Sequence, residues 1–232
     1  MGYRIMVVTK LHIGGDMKLL LGILVTIGMI FSIIMVFLVA PVEETMGVVQ
    51  KIFYWHVASA WVGFLAFLVV FIGSIGYLAK KTRKWDRIAH SSAGIGVLFT
   101  TLCLISGSLW AKPAWGIWWT WDARLTSTLV LWFMYVAYLI LRFETEGKER
   151  GATFGAVLGI IGFVDVPIVF LSVKWWRTVH CNLIVIEKTG LTPLMLLTLL
   201  VSVFGFTILY IYLLMTKYEI EKIRDKIAEL KG

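Results

Sequence analysis

Two histidines and a tryptophan-rich run hold most of the chemistry available to this chain. His56 stands in Phe53-Tyr54-Trp55-His56-Val57-Ala58-Ser59-Ala60-Trp61, and His180 in Lys174-Trp175-Trp176-Arg177-Thr178-Val179-His180. Between them lies Trp115-Gly116-Ile117-Trp118-Trp119-Thr120-Trp121-Asp122-Ala123-Arg124-Leu125-Thr126, which packs four tryptophans into seven residues and follows Trp110 closely. Neutral imidazole is a proton carrier and a metal ligand. Indole supplies a flat apolar plate with one N–H donor, and a tryptophan belt at a membrane boundary is often no more than an anchor. Asp122 and Arg124 close the run with a fixed acid and base. Asp122 can alternatively cap a helix that begins just after it.

These residues need elements to position them, and the composition says which kind. The 232 residues are 59% hydrophobic and only 16% charged, with a mean hydropathy of +0.88; a soluble domain carries about a quarter charged residues. Six apolar segments stand out, at about 19–40, 52–79, 88–110, 125–143, 152–173 and 191–216. Each is long enough to cross a hydrocarbon core of about 30 Å. Each must be a helix, because an open strand cannot satisfy its backbone in lipid. The expected fold is therefore an all-α polytopic membrane protein. It has an N-tail over 1–18, a six-helix domain over 19–216 with the tryptophan loop at 111–124, and a C-tail over 217–232. Residues 1–18 do not read as a signal peptide, since the apolar run that follows has the length of a span; Met17 is an alternative start. Gly151, Gly155 and Gly159 form a small-residue ridge suited to close helix packing.

Charge sets the expected orientation. The tails and the loops after spans two and four hold sixteen Lys and Arg, against six in the other three loops. The positive-inside rule then places both termini in the cytoplasm. It also accounts for the net charge of +8 without any role for nucleic acid. The C-tail reads as a solvated mixed-charge helix, with Glu221 and Arg224, and Lys222 and Asp225, as i,i+3 pairs.

In this topology His12 and His90 fall on the cytoplasmic side. His56, His180 and the tryptophan loop come from three outer loops and meet one membrane face. Haem suits that set. Its iron accepts two axial imidazoles, its macrocycle stacks on aromatic side chains, and its propionates suit Lys112, Arg124, Lys174 and Arg177. Zinc fits less well, with only Cys181 and carboxylates to complete four ligands. Cys103 and Cys181 form neither CxxC nor CxxCH, so thioredoxin-like redox chemistry and covalent c-type haem attachment are not supported. Cys103 reads as a buried small residue and Cys181 as an external thiol. Asp165, about 12 Å inside span five, reads as a structural polar contact.

The run Trp115-Gly116-Ile117-Trp118-Trp119-Thr120-Trp121-Asp122-Ala123-Arg124-Leu125-Thr126-Ser127 resembles the signature of the haem-handling WWD-domain superfamily of cytochrome c biogenesis. Its Asp-Ala-Arg-Leu-Thr-Ser ending resembles the CcmC branch, the haem exporter protein C of system I. The lyase and synthetase branches usually continue with Asp-Pro. Pro167-Ile168-Val169 and Ser172 to His180 also resemble that branch, and the likeness covers nearly the whole chain. Departures from its pattern fall at Asp165, Lys174, Arg177 and Cys181, none of them an expected ligand.

The resemblance implies a haem-binding and delivery protein, not an enzyme, in the cytoplasmic membrane. Haem b would be held non-covalently on the periplasmic side by His56 and His180. Trp115, Trp118, Trp119, Trp121 and Asp122 would form a platform for haem and chaperone, with Arg124 beside it. The implied partners are the membrane-anchored haem chaperone CcmE, the transporter subunits CcmA and CcmB, the small subunit CcmD and membrane lipid. Rival classes are a haem lyase and a b-type cytochrome subunit. Lyase relatives usually carry extra histidines and a larger soluble region, which this chain lacks. Cytochrome b-type subunits place histidine pairs at mid-span, and no span here has one.

Overall fold

The computed structural model describes residues 2–145, 149–176 and 191–231, with side chains described from residue 16 to residue 230. Among these residues six helices are long and apolar enough to cross a membrane. They are α1 (Gly2–Ile34), α2 (Ile52–Lys80), α3 (Arg83–Trp115), α4 (Ala123–Glu144), α5 (Glu149–Trp175) and α6 (Pro193–Lys231). A short π-helical turn, Met35–Val39, ends α1, and a 3-10 turn, Val48–Lys51, leads into α2.

The hairpin of α2 and α3 forms the middle of the bundle, with α6 and then α1 on one side and α4 and α5 on the other. Its turn is tight. Lys81 takes a left-handed conformation at φ 50° and returns its N–H to the Tyr77 carbonyl at 2.7 Å, closing α2 before Thr82 extends the chain. Without a hydrophobic drive between helices in lipid, close packing and polar contacts must hold the layers together. The sequence supplies both. Phe67 of α2 stacks on Tyr135 of α4 with centroids 3.8 Å apart, and Trp132 Nε1 donates to Thr101 Oγ1 at 2.8 Å.

The glycine ridge of α5 behaves as its spacing predicts. Gly151, Gly155 and Gly159 are all buried. A Cβ at Gly159 would come within 2.8 Å of Ser74 Oγ and 2.9 Å of Val70 Cγ1, and its carbonyl accepts the Tyr135 hydroxyl at 3.1 Å. On the far side, α1 and α6 cross at Gly28 and Gly205, where Ser32 donates to Ser202 at 3.0 Å.

Two boundaries differ from the sequence reading. The N-tail is helical from Gly2, so α1 runs through it without a break. The tryptophan loop begins later than residue 111, because α3 continues to Trp115 with Pro113 inside its last turns. The C-tail continues α6 without a break; most of it is exposed, as a solvated end requires, and three acidic side chains tie it to α1 and α3. Glu219 pairs with Lys18, Asp225 with Arg87 at 3.4 Å and Arg83 at 3.8 Å, and Glu221 lies 3.6 Å from His90. The expected Glu221–Arg224 pair is present at 3.9 Å. Asp225 turns to α3 rather than to Lys222, because arginines of the neighbouring helix stand within reach. Asp86 and Arg142 join α3 to α4 at the same end, at 2.8 Å.

Candidate functional site

The opposite end of the bundle carries the tryptophan loop, and its geometry starts from two helix termini. Gly116 ends α3 at φ 78°, a left-handed position that glycine adopts at little cost. Its N–H bonds the Lys112 carbonyl at 2.9 Å. Lys112 Nζ reaches the Gly116 carbonyl at 2.9 Å and lies 6.0 Å above the Trp118 ring. Six residues on, Asp122 starts α4. Its Oδ1 accepts the N–H groups of Arg124 and Leu125, both at 3.0 Å, and its Oδ2 accepts the Thr120 hydroxyl at 3.1 Å. The Asp122 carboxylate therefore caps the helix and ties the loop to it, a contact worth about 1 kcal/mol.

Between these anchors the indoles are held at different depths. Trp121 is 76% exposed and Trp118 55%, while Trp119 is half-buried and meets Trp121 edge-on at 5.8 Å. Trp118 and Trp119 line a shallow, open apolar depression of about 320 Å³ with Leu104, Ile105, Ser108 and Leu109 of α3 and Leu129 of α4, on the face of α3 opposite the one that meets His56. Trp115 packs on Trp110 at 6.3 Å, and Trp110 in turn meets His56 edge-on at 5.9 Å. A chain of aromatic contacts thus runs from the loop to the imidazole.

His56 lies in the second turn of α2 and faces the last third of α3. Its Nδ1 is 3.1 Å from Ser106 Oγ and 3.9 Å from Cys103 Sγ. Gly107 lets the ring approach, since a Cβ there would sit 3.0 Å from His56 Cε1. Three buried donors beside this region, Trp110 Nε1, Trp119 Nε1 and Thr126 Oγ1, have no hydrogen-bond partner among the described residues. Orphaned donors of this kind point to a missing acceptor.

The structure therefore brings together His56, Trp115, Trp118, Trp119, Trp121 and Asp122 at one end of the bundle, with Arg124 in the first turn of α4. Lys174 falls in the last turn of α5 beside Trp175 and Trp176, whose rings meet edge-on at 5.8 Å. His180, Arg177 and Cys181 lie outside the described residues. Cys103 is buried as expected, though in contact with His56. Asp165 keeps one buried carboxylate oxygen with no partner among the described residues. Ser106 and Gly107 escaped the sequence reading. Their signal was a pair of small residues one turn before Trp110, on the helix that faces His56. The His56 imidazole and the flat indole surfaces of Trp110 and Trp115 beside it suit a planar ligand.

Comparison with known proteins gives a consistent family. The family model described as Heme exporter protein C matches residues 8–231. Heme exporter protein C of Bradyrhizobium diazoefficiens is 37% identical over 194 residues, 83% of this chain and 74% of that one. The Haemophilus influenzae protein of that name is 32% identical over 219 residues, 94% of this chain and 89% of its own. That of Escherichia coli K12 is 35% identical over 217 residues, covering 90% and 85%.

Proposed function

This chain belongs to the Heme exporter protein C family, and we propose that it binds haem at the tryptophan-loop end of the bundle and delivers it during cytochrome c maturation. The observation that carries this reading is the position of His56. Its ring is in edge contact with Trp110, and Trp110 leads through Trp115 into the exposed loop. His56 supplies one axial ligand and His180 the other, to haem b held without a covalent bond. Trp115, Trp118, Trp119 and Trp121 form the apolar platform, which Asp122 holds in place as a cap. Arg124, Lys112 and Lys174 provide the cations for the propionates, and the orphaned N–H groups of Trp110 and Trp119 suit the same oxygens.

The distribution of Lys and Arg supports both termini in the cytoplasm, with this end on the periplasmic side of the inner membrane. Haem is cargo here and no bond of it is broken, so the protein is a carrier rather than an enzyme. The exposed Trp118 and Trp121 offer a docking surface to the membrane-anchored chaperone CcmE. CcmA, CcmB and CcmD complete the complex. Delivery requires the chaperone's ligand to displace one imidazole, so haem must be held with finite affinity.

The test is spectroscopic. Protein purified with its chaperone co-expressed should show a bis-imidazole haem spectrum that is lost in His56→Ala and in His180→Ala. Parent protein that takes up no haem under ample supply, or variants that keep the parent spectrum, would overturn the assignment.

A further inference from the structure

The stripe of α3 beneath His56 does more than bury it. Cys103, Ser106, Gly107 and Trp110 follow one another at helical spacing and so share one face. Each of them meets the imidazole. Ser106 Oγ is 3.1 Å from Nδ1, Cys103 Sγ is 3.9 Å from it, the bare Cα of Gly107 opens space for Cε1, and Trp110 lies edge-on at 5.9 Å. Ser106 has a second contact, to the Cys103 carbonyl at 3.2 Å.

We propose that Ser106 is a positioning residue that sets the tautomer and orientation of His56 for iron ligation. The assignment rests on the reading of His56 as a haem ligand. A hydroxyl carries one proton and two lone pairs. When Ser106 donates its proton to the Cys103 carbonyl, its oxygen accepts Nδ1–H of His56. The imidazole lone pair then lies on Nε2, the nitrogen on the side of the ring away from Ser106, and Nε2 becomes the ligand atom. The reverse arrangement, with Ser106 donating to Nδ1, puts the ring proton on Nε2 and blocks ligation there. The carbonyl of Cys103 decides between them by offering the hydroxyl proton a second acceptor. Metal-bound histidines commonly donate their other N–H to an oxygen, which orients the ring and raises its basicity. Cys103 Sγ is a longer and softer acceptor and cannot replace the hydroxyl. Gly107 serves the same end, because any side chain there would push the ring off the α3 surface.

The test uses the full chain in detergent, with haem affinity by titration and midpoint potential by spectroelectrochemistry. Ser106→Thr keeps the hydroxyl, and Ser106→Val keeps the shape of threonine without it. The valine variant and Ser106→Ala should bind haem about tenfold more weakly than the parent. Their potential should rise, since an imidazole without its N–H acceptor donates less charge to ferric iron. The threonine variant should stay close to the parent on both measures. Threonine and valine variants that agree with each other, whether strong or weak, would overturn the proposal, because the hydroxyl would then be irrelevant. His56→Ala run alongside separates the two readings. Loss of haem there with an unchanged Ser106→Ala titration removes Ser106 alone, whereas retention of the parent spectrum removes His56 as ligand and Ser106 with it.

Discussion

Asp122 shows how one side chain in a conspicuous motif can have a plain mechanical task. Both carboxylate oxygens are engaged within the loop and the first turn of α4, by Arg124 and Leu125 N–H and by the Thr120 hydroxyl. An acidic side chain at this point also complements the positive end of the α4 dipole. Asp122→Ala should lower thermal stability by about 1 kcal/mol and weaken haem retention by loosening the loop. Asp122→Asn keeps a capping oxygen and should hold both near the parent. Unfolding followed by circular dichroism, paired with haem titration, checks this. An asparagine variant as defective as the alanine variant would show that the charge itself is used. Sequence alone left the cap and the platform as alternatives for Asp122, since the side-chain direction depends on where α4 begins, and that boundary was uncertain by a few residues.

At the scale of elements, the glycines decide how closely α5 approaches its neighbours. Gly159 touches Ser74 and Val70 of α2 at distances that leave no room for a methyl group. Gly159→Ala should destabilise the protein by about 1–3 kcal/mol through overpacking, despite the better helix propensity of alanine. A Cβ added at Gly22 of α1 would meet Tyr212 at 3.7 Å, an ordinary contact. Gly22→Ala should therefore leave the melting temperature unchanged or slightly higher, and the pair of melts in one detergent checks both. The number of helices, the ridge on α5 and the place of His56 at a helix start were legible in the sequence, because span length and small-residue spacing are local properties. The cradle around His56 was not. Hydropathy reports how long a helix is, but not its rotation about its own axis, and Ser106 meets His56 only through the relative rotation of α2 and α3. The ion pairs from Glu219, Glu221 and Asp225 to neighbouring helices were hidden for a related reason. Charge pattern shows local i,i+3 partners, while Arg87 and His90 become partners only when α3 lies alongside.

At the scale of the whole molecule, the two ends of the bundle are chemically unlike. One is fastened by ion pairs between helices, Asp86 with Arg142 and Asp225 with Arg87. The other is built from aromatic rings. This asymmetry has an optical consequence. Of the eleven tryptophans, Trp110, Trp115, Trp118, Trp119 and Trp121 cluster at the loop end, with Trp55 in the second turn of α2. Trp85 instead packs against Gly76 near the α2–α3 turn. Porphyrin absorbs where indole emits, so haem bound beside the loop should extinguish most of the intrinsic fluorescence and leave Trp85 the brightest emitter. Loss of the remaining emission in Trp85→Phe would confirm which end the cargo occupies. An equal dimming of all eleven rings would place it elsewhere. The protein thus carries its own label, and uptake and release of its cargo can be timed from ultraviolet emission alone.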